Sequence, residues 1–326
     1  MSKHETVVPQ DQLGDHPAVR AWGEIEGGTD PISVEVLKPE KRRSAVFRLN
    51  GAGPTGASVI AKRRERGDLD LERRLYADVL PSLSVPTLQI FGFLETAEDR
   101  SWIFLEDGGE LWYSPAAPEH RALAVQWLAD LHTRSSDWSA LMPDTGPEYF
   151  RAVLDAALES VRTGLGHSRL PQDGASVLRS IESQLELVAD RWEEVEAACA
   201  LAPRGLVHGD FVPKNVRVRQ GRRGLEIVAF DWETAGVAPP AADIGLLPES
   251  GDALRHYHAL VSEAWPDLSL DAVRRVARIG RLLRLLNCVH WEARSFLYPW
   301  IEHTMRRMRA YERALPESIG SDTWVA

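Results

Sequence analysis

The stretch that decides the fold is residues 206–243, LVHGDFVPKNVRVRQGRRGLEIVAFDWETAGVAPPAAD. It opens with a strand-like signal, turns through His208-Gly209-Asp210 and reaches Asn215 before a second strand-like run. That run turns at Gly221-Arg222-Arg223-Gly224, returns over residues 225–230 and delivers Asp231 at its end. An acid, a carboxamide and a second acid therefore stand at strand ends or loop tips. Such positions hold side chains rigidly while leaving them open to a ligand.

Phosphoryl transfer is the chemistry that wants this trio. The protein must position a hydroxyl, hold magnesium and offset charge on the phosphate oxygens. Magnesium takes hard oxygen ligands, usually one or two from carboxyl groups and the rest from phosphates and water. Asn215 and Asp231 can supply such oxygens, which leaves Asp210 to accept the proton of an attacking hydroxyl. The spacing of His208, Asp210 and Asn215 is H-x-D-x-x-x-x-N, that of the kinase catalytic loop. With H-G-D in the loop and D-W-E at residues 231–233, the chain resembles the aminoglycoside phosphotransferase and choline kinase branch of the protein-kinase-like fold.

The resemblance implies an α+β, bilobal, protein-kinase-like fold. A small antiparallel-sheet N-lobe with one helix would bind the nucleotide, and a larger, mainly helical C-lobe would hold catalysis and the acceptor. We place the lobes at 1–107 and 108–326, with 1–30 a polar tail or short helix. From Ile32 the alternating runs ISVEVL, AVFRL and SVIAKR read as antiparallel strands separated by turns. Residues 51–56 match G-x-G-x-x-G, but the sequel SVIAKR is another strand rather than a helix, so these glycines read as a turn. The phosphate-covering loop then falls at residues 38–44, ending at Ser44 and containing no glycine.

Lys62 ends the third strand and precedes a helical stretch, LDLERRLYADVL, with Leu71, Leu75 and Val79 on one face. The family lysine meets the α- and β-phosphates and pairs with a helix glutamate. Glu72 is preferred for that role over Glu65 and Asp70. An adjacent acid keeps such a lysine charged and fixes its direction. Two further strands, TLQIFGFLE and SWIFLEDGG, end at Glu106-Asp107-Gly108, where the resemblance places the hinge whose backbone binds adenine. The Glu106 and Asp107 carboxylates themselves read as solvated or helix-capping. ATP with Mg2+ is the implied cofactor pair; GTP stays open, because a hinge reads the base through backbone atoms.

Helical periods follow: residues 118–134, 147–164 and 174–199, then 252–265, 269–291 and 294–315. His132 reads as packing. The run RRVARIGRLLRLL reads as a packed helix with a solvated basic face. The resemblance makes Asp210 the catalytic acceptor of the hydroxyl proton and Asn215 with Asp231 the metal ligands. It makes His208 and Asp243 supports of the catalytic loop. Lys214 departs from the protein-kinase loop, which has its lysine two residues after the aspartate. The candidate acceptor residues are Trp232, Glu249, Trp291, Glu292 and Trp300, since aromatic faces and acids suit sugars, aminoglycosides or quaternary amines.

Composition bounds the partners. Lys plus Arg number 38 against 48 Asp plus Glu, a net charge of −10, which argues against nucleic acid or an anionic membrane. Two cysteines indicate no disulfide framework, and no signal-peptide core or span of roughly 20 apolar residues appears, so a cytoplasmic location is expected. The partners are a nucleoside triphosphate and a small hydroxylated acceptor, plausibly an antibiotic. The alternatives are a metabolic acceptor (choline, homoserine, a sugar or a nucleoside) and a nucleotide-binding pseudokinase. Intact Lys62, Asp210, Asn215 and Asp231 argue against the last. No A-P-E-like segment follows Asp231, which argues against a protein kinase.

Overall fold

Alternating apolar residues along residues 33–65 make a meander with one buried face. A computed structural model describes residues 6–41, 44–134, 136–222, 224–248 and 252–320. The chain divides into two compact units, residues 1–113 with 213–233 and residues 114–212 with 234–326. The first unit thus runs past the boundary expected after residue 107 and takes back the hairpin that carries Asp231.

Its sheet holds β1 (Thr6–Val7), β2 (Ser33–Lys41), β3 (Ser44–Asn50), β4 (Val59–Glu65), β5 (Ile90–Thr96) and β6 (Arg100–Glu106). The spatial order is β1-β2-β3-β4-β6-β5, with every pair antiparallel. β2 reaches Lys41, so most of the expected 38–44 loop is strand; residues 42–43 lie outside the described residues. The tail forms α1 (Pro17–Gly23), whose Ala18 and Trp22 join Val34, Phe47, Leu49, Ala61, Trp102 and Phe104 in one apolar core. Between β3 and β4 the glycine-rich segment is a turn, with Gly51 and Gly56 both in left-handed backbone (φ 77° and 80°), where glycine carries no Cβ penalty.

The helix expected over 69–80 begins as α2 (Asp70–Arg74) and then widens into a π turn over Leu75–Val79. Leu75 and Val79 are fully buried, while Leu71 is only half-buried.

In the second unit come α3 (Pro118–Thr133), α4 (Pro147–Leu165), α5 (Gly174–Asp190), α6 (Trp192–Cys199) and β7 (Gly205–Val207). The single helix expected over 174–199 is therefore two, broken at Arg191 (φ −105°, ψ 21°). The chain next builds the hairpin of β8 (Val216–Gly221) and β9 (Gly224–Ala229), which belongs to the first unit. The second unit resumes with β10 (Gly236–Ala238), antiparallel to β7. It closes with α7 (Ala241–Ile244), α8 (Ala253–Val261), α9 (Leu270–Ala293) and α10 (Glu302–Ile319). The last helix starts later than the expected residue 294 because Tyr298 precedes Pro299 and is extended (φ −122°, ψ 154°), as a pre-proline residue prefers. No helix among the described residues is long and apolar enough to cross a membrane.

α9 is the spine of this unit, packing on α4, α7 and α10. It meets α7 backbone to backbone: a Cβ on Gly280 would stand 1.7 Å from the Ala241 carbonyl oxygen. Gly280→Ala should therefore destabilise, although alanine gains roughly 1 kcal/mol of helix propensity. Overpacking against an unyielding backbone costs about 1–3 kcal/mol or more. Urea unfolding would show it as a lower midpoint; an unchanged or higher midpoint would refute so close a crossing.

Candidate active site

The first unit gathers Lys62, Glu72 and Asp231. β4 is flanked by β3 and β6, with Lys62 opposite Val46 and Ile103, so its backbone is fixed on both sides. Lys62 Nζ donates to both Glu72 carboxylate oxygens (2.8 and 2.9 Å) and to Asp231 Oδ1 (2.6 Å). The partner is Glu72, and neither Glu65 nor Asp70 appears in that pairing. Glu72, 2 % exposed, also accepts the Trp232 backbone N–H at 2.9 Å, which ties α2 to the residue after Asp231.

Asp231 itself has φ 68°, a left-handed conformation that a non-glycine residue keeps only when its surroundings impose it. On the same hairpin, the Phe230 N–H donates to the Asn215 carbonyl oxygen (3.0 Å), so Asn215 and Asp231 flank one end of the ladder.

Electrostatics keep Lys62 and Asp231 charged. Burial alone would lower the Lys62 ammonium, but Glu72 and then Asp231 raise it above its ordinary value. Burial alone would raise the Asp231 carboxyl; the charge and hydrogen bond of Lys62, with Lys214 and Lys38 farther out, bring it down to about 2. An unfolded aspartate titrates near 3.9, so this interaction stabilises the fold fully above about pH 5 and is lost as pH falls through about 2. The stability difference between wild type and Asp231→Asn should accordingly be flat from about pH 5 to 9 and shrink toward pH 2. A difference that persists in acid would show that the ion pair is not its source.

Around the expected hinge, Glu106 (35 % exposed) and Asp107 (19 % exposed) are both ion-paired. Arg219 holds Glu106 at 2.8 Å, and Arg48 Nε donates to Asp107 Oδ2 at 2.7 Å, with the Gly109 N–H on Oδ1 at 3.0 Å. These carboxylates brace the segment through their arginines. At Gly108 a Cβ would come within 3.2 Å of the Arg217 side chain. Ser44 is 8 % exposed at the start of β3, and its hydroxyl has no hydrogen-bond partner among the described residues. Lys38, the first residue of the expected phosphate-covering loop, lies on β2. Desolvation lowers its ammonium while Asp231 pulls the other way and Lys62 lowers it further, so Lys38 lies within electrostatic reach of the trio.

The second unit holds Asp210, His208 and Asp243. β7 runs into the turn, and Gly209 (φ 76°) packs so that a Cβ would be 2.4 Å from the Thr234 carbonyl oxygen. Asp243, fully buried on α7, accepts the His208 N–H (2.7 Å) and the Gly209 N–H (2.9 Å). His132 Nε2 lies 3.1 Å from the same carboxylate, and its Nδ1 lies 2.8 Å from the Tyr257 hydroxyl. Burial would raise the Asp243 carboxyl, but the hydrogen bond and charge of His132 lead a set of contacts that hold it below its ordinary value. His132 is thus a polar strut as well as a packed ring. His208 Nδ1 accepts the Asp210 N–H (3.3 Å), and Phe211 stacks on Trp127 at 5.3 Å, so each residue of the turn is fixed.

Asp210 is 6 % exposed, and its Oδ1 lies 2.7 Å from Arg284 Nη2 on α9. The basic face expected for α9 is therefore not wholly solvated: the Arg284 side chain is 15 % exposed and lies over the Trp291 ring at 5.1 Å. The signal for it was an arginine between two leucine pairs, LLRLL at residues 282–286.

Among the described residues the acceptor candidates stand as follows. Trp232 is fully buried in the first unit and offers no open face. Glu249 lies outside the described residues. Glu292 is engaged by Arg307 (3.1 Å) and faces His303 (3.7 Å). Trp300, 64 % exposed, stacks on Tyr298 at 5.7 Å. Trp291 is joined to Asp210 through Arg284.

Comparison with known proteins places these findings. The sequence model described as the phosphotransferase enzyme family matches residues 24–275 of the 326. No curated protein matches the sequence. Among solved structures, Plasmodium vivax ethanolamine kinase is similar, with a TM-score of 0.62 at 14 % identity over 90 % of this chain and 83 % of that one. A spectinomycin phosphotransferase bound to ADP and spectinomycin scores 0.61 at 11 % identity, covering 90 % and 93 %. The GDP and kanamycin complex of an APH(2″) protein scores 0.62 at 15 % identity, covering 91 % and 97 %.

Proposed function

The chain belongs to the phosphotransferase enzyme family and is a small-molecule kinase, and we propose that it moves the γ-phosphate of magnesium-bound ATP to a hydroxyl group of its acceptor. The observation that carries this reading is Lys62, locked at 2.6–2.9 Å between Glu72 and a left-handed Asp231. A buried lysine between two carboxylates, one of them on a strained backbone, is an arrangement built for a ligand rather than for packing.

Asp231 and Asn215 suit magnesium. Both offer hard oxygens, and no group of three His, Cys, Asp or Glu among the described residues is placed to hold a metal. That fits a cation that completes its shell with phosphate and water oxygens. When bound, magnesium would offset the charge that develops on the phosphate oxygens. Lys62 contacts the phosphates, Glu72 aims it, and Ser44 and Lys38 extend the contact toward the triphosphate tail. The backbone at Glu106, Asp107 and Gly108 takes the base. Asp210 orients the hydroxyl and accepts its proton as the acceptor oxygen bonds to the γ-phosphorus. The bond from that phosphorus to the bridging oxygen breaks and ADP leaves. His208 and Asp243 keep the loop in place. With a loose transition state the proton moves late, so a carboxylate suffices.

Two free cysteines and the absence of a membrane-spanning helix among the described residues support a cytoplasmic location. Antibiotic inactivation draws no support from Glu292, whose charge is already answered by Arg307. The test is turnover with ATP or GTP, with and without magnesium, against aminoglycosides, spectinomycin, ethanolamine, choline, homoserine, sugars and nucleosides. Magnesium-dependent transfer to a hydroxyl supports the reading. Nucleotide binding with neither hydrolysis nor transfer would make the protein a pseudokinase.

A further inference from the structure

Arg284 has no task in the mechanism above, yet it touches the residue assigned as the base. Its Nη2 is 2.7 Å from Asp210 Oδ1, while its Nη1, also buried, has no hydrogen-bond partner among the described residues. One helical turn on, Asn287 is 2 % exposed with its Oδ1 likewise unpartnered. Trp291 completes the face at i, i+3 and i+7 and lies under the guanidinium at 5.1 Å. Buried polar atoms are nearly always satisfied, and an orphaned guanidinium N–H calls for an explanation. Its fork of donors matches the planar oxygens of a carboxylate or phosphate.

Charge sharpens the choice of ligand. An anionic acceptor brought beside the Asp210 carboxylate would be repelled unless a cation stood between them. A cationic acceptor would instead find that carboxylate already engaged and would face the guanidinium. Glu292, an acid that might draw a polycation, is already engaged by Arg307 at 3.1 Å and faces His303 at 3.7 Å.

We propose that Arg284, with Trp291 beneath it, is the specificity determinant for an acceptor that carries an anionic oxygen group, carboxylate or phosphate, near its reactive hydroxyl. Nη1 takes the anion while Nη2 stays on Asp210, so one guanidinium sets the distance from the anion to the base, and the second Asp210 oxygen takes the hydroxyl proton. Asn287 receives a further hydroxyl of the same molecule. The proposal rests on the kinase reading and on Asp210 as its base.

The experiment measures kcat and KM of the full chain with magnesium and ATP on matched pairs. Hydroxy acids are set against their amides, sugar phosphates against free sugars, and nucleoside monophosphates against nucleosides; kanamycin and ethanolamine represent cations. The expected result is that one anionic class is preferred over its uncharged analogue by roughly 10- to 100-fold in kcat/KM, the range of a charge-assisted hydrogen bond. That preference should fall to near unity in Arg284→Gln, chiefly through KM, and return in part in Arg284→Lys; the lysine variant also guards against loss of folding. Which anionic class responds distinguishes a carboxylate from a phosphate ligand. Turnover confined to cationic or neutral acceptors overturns the proposal and leaves the kinase reading intact. So does ATP hydrolysis with no transfer to any anion in the panel. Failure to bind nucleotide at all would instead strike the kinase reading on which the proposal stands.

Discussion

Asp210→Asn should leave magnesium-nucleotide affinity within about twofold of wild type while lowering kcat for transfer by about 10²- to 10⁴-fold, the usual worth of a positioned general base. The reason lies in how the roles are distributed. Lys62, Glu72, Asn215 and Asp231 all belong to the unit formed by residues 1–113 and 213–233, whereas Asp210 belongs to the other. Removing its charge leaves the lysine trio untouched. An asparagine keeps the side-chain size and an oxygen that can face Arg284, and the N–H groups of His208 and Gly209 remain on Asp243, so the loop keeps its shape. What asparagine cannot do is take a proton. Isothermal titration with nucleotide and single-turnover kinetics separate the two quantities. Transfer at the wild-type rate would show that Asp210 is not the base, and loss of nucleotide affinity in parallel would show that its part is structural.

Much of this arrangement was legible because it is local. Lys62 and Glu72 are ten residues apart on a strand and the helix after it, and the family resemblance, which pairs the strand lysine with a helix glutamate, pointed to Glu72 among three nearby acids. The 206–243 stretch likewise carries Asp210, Asn215, Asp231 and Asp243 within one run of chain. What escaped depends on contacts that sequence does not display. The break at Arg191 has no glycine or proline to announce it. Glu106 and Asp107 read as solvated because their arginines, Arg219 and Arg48, come from other strands. Arg284 read as part of a solvated face because its partner lies on a loop distant in sequence, and a period of 3.6 cannot tell a buried cation from an exposed one. The delayed start of α10 is different: Pro299 was in plain view, and its bias on Tyr298 was the missed signal. Errors of this kind fall where tertiary partners override local pattern.

Asp231→Ala should weaken magnesium-nucleotide binding itself, by about 10²-fold or more, because losing a ligand to a divalent cation and its charge together is worth several kcal/mol. Two effects must be separated, since alanine at φ 68° is strained in a way that aspartate tolerates better. Asp231→Asn isolates the chemistry: asparagine accepts the left-handed backbone and keeps an oxygen, but not the charge. Lys62 still has both Glu72 oxygens, at 2.8 and 2.9 Å, so it stays charged and ordered in either variant. The asparagine variant should therefore unfold close to wild type at neutral pH, less the ion pair, and bind nucleotide poorly in magnesium. Without metal, where the lysine dominates phosphate contact, the two proteins should bind nucleotide alike. If the asparagine variant bound magnesium-nucleotide as tightly as wild type, Asp231 would be only the counter-ion of Lys62. The left-handed backbone would then lack the functional reason assigned to it.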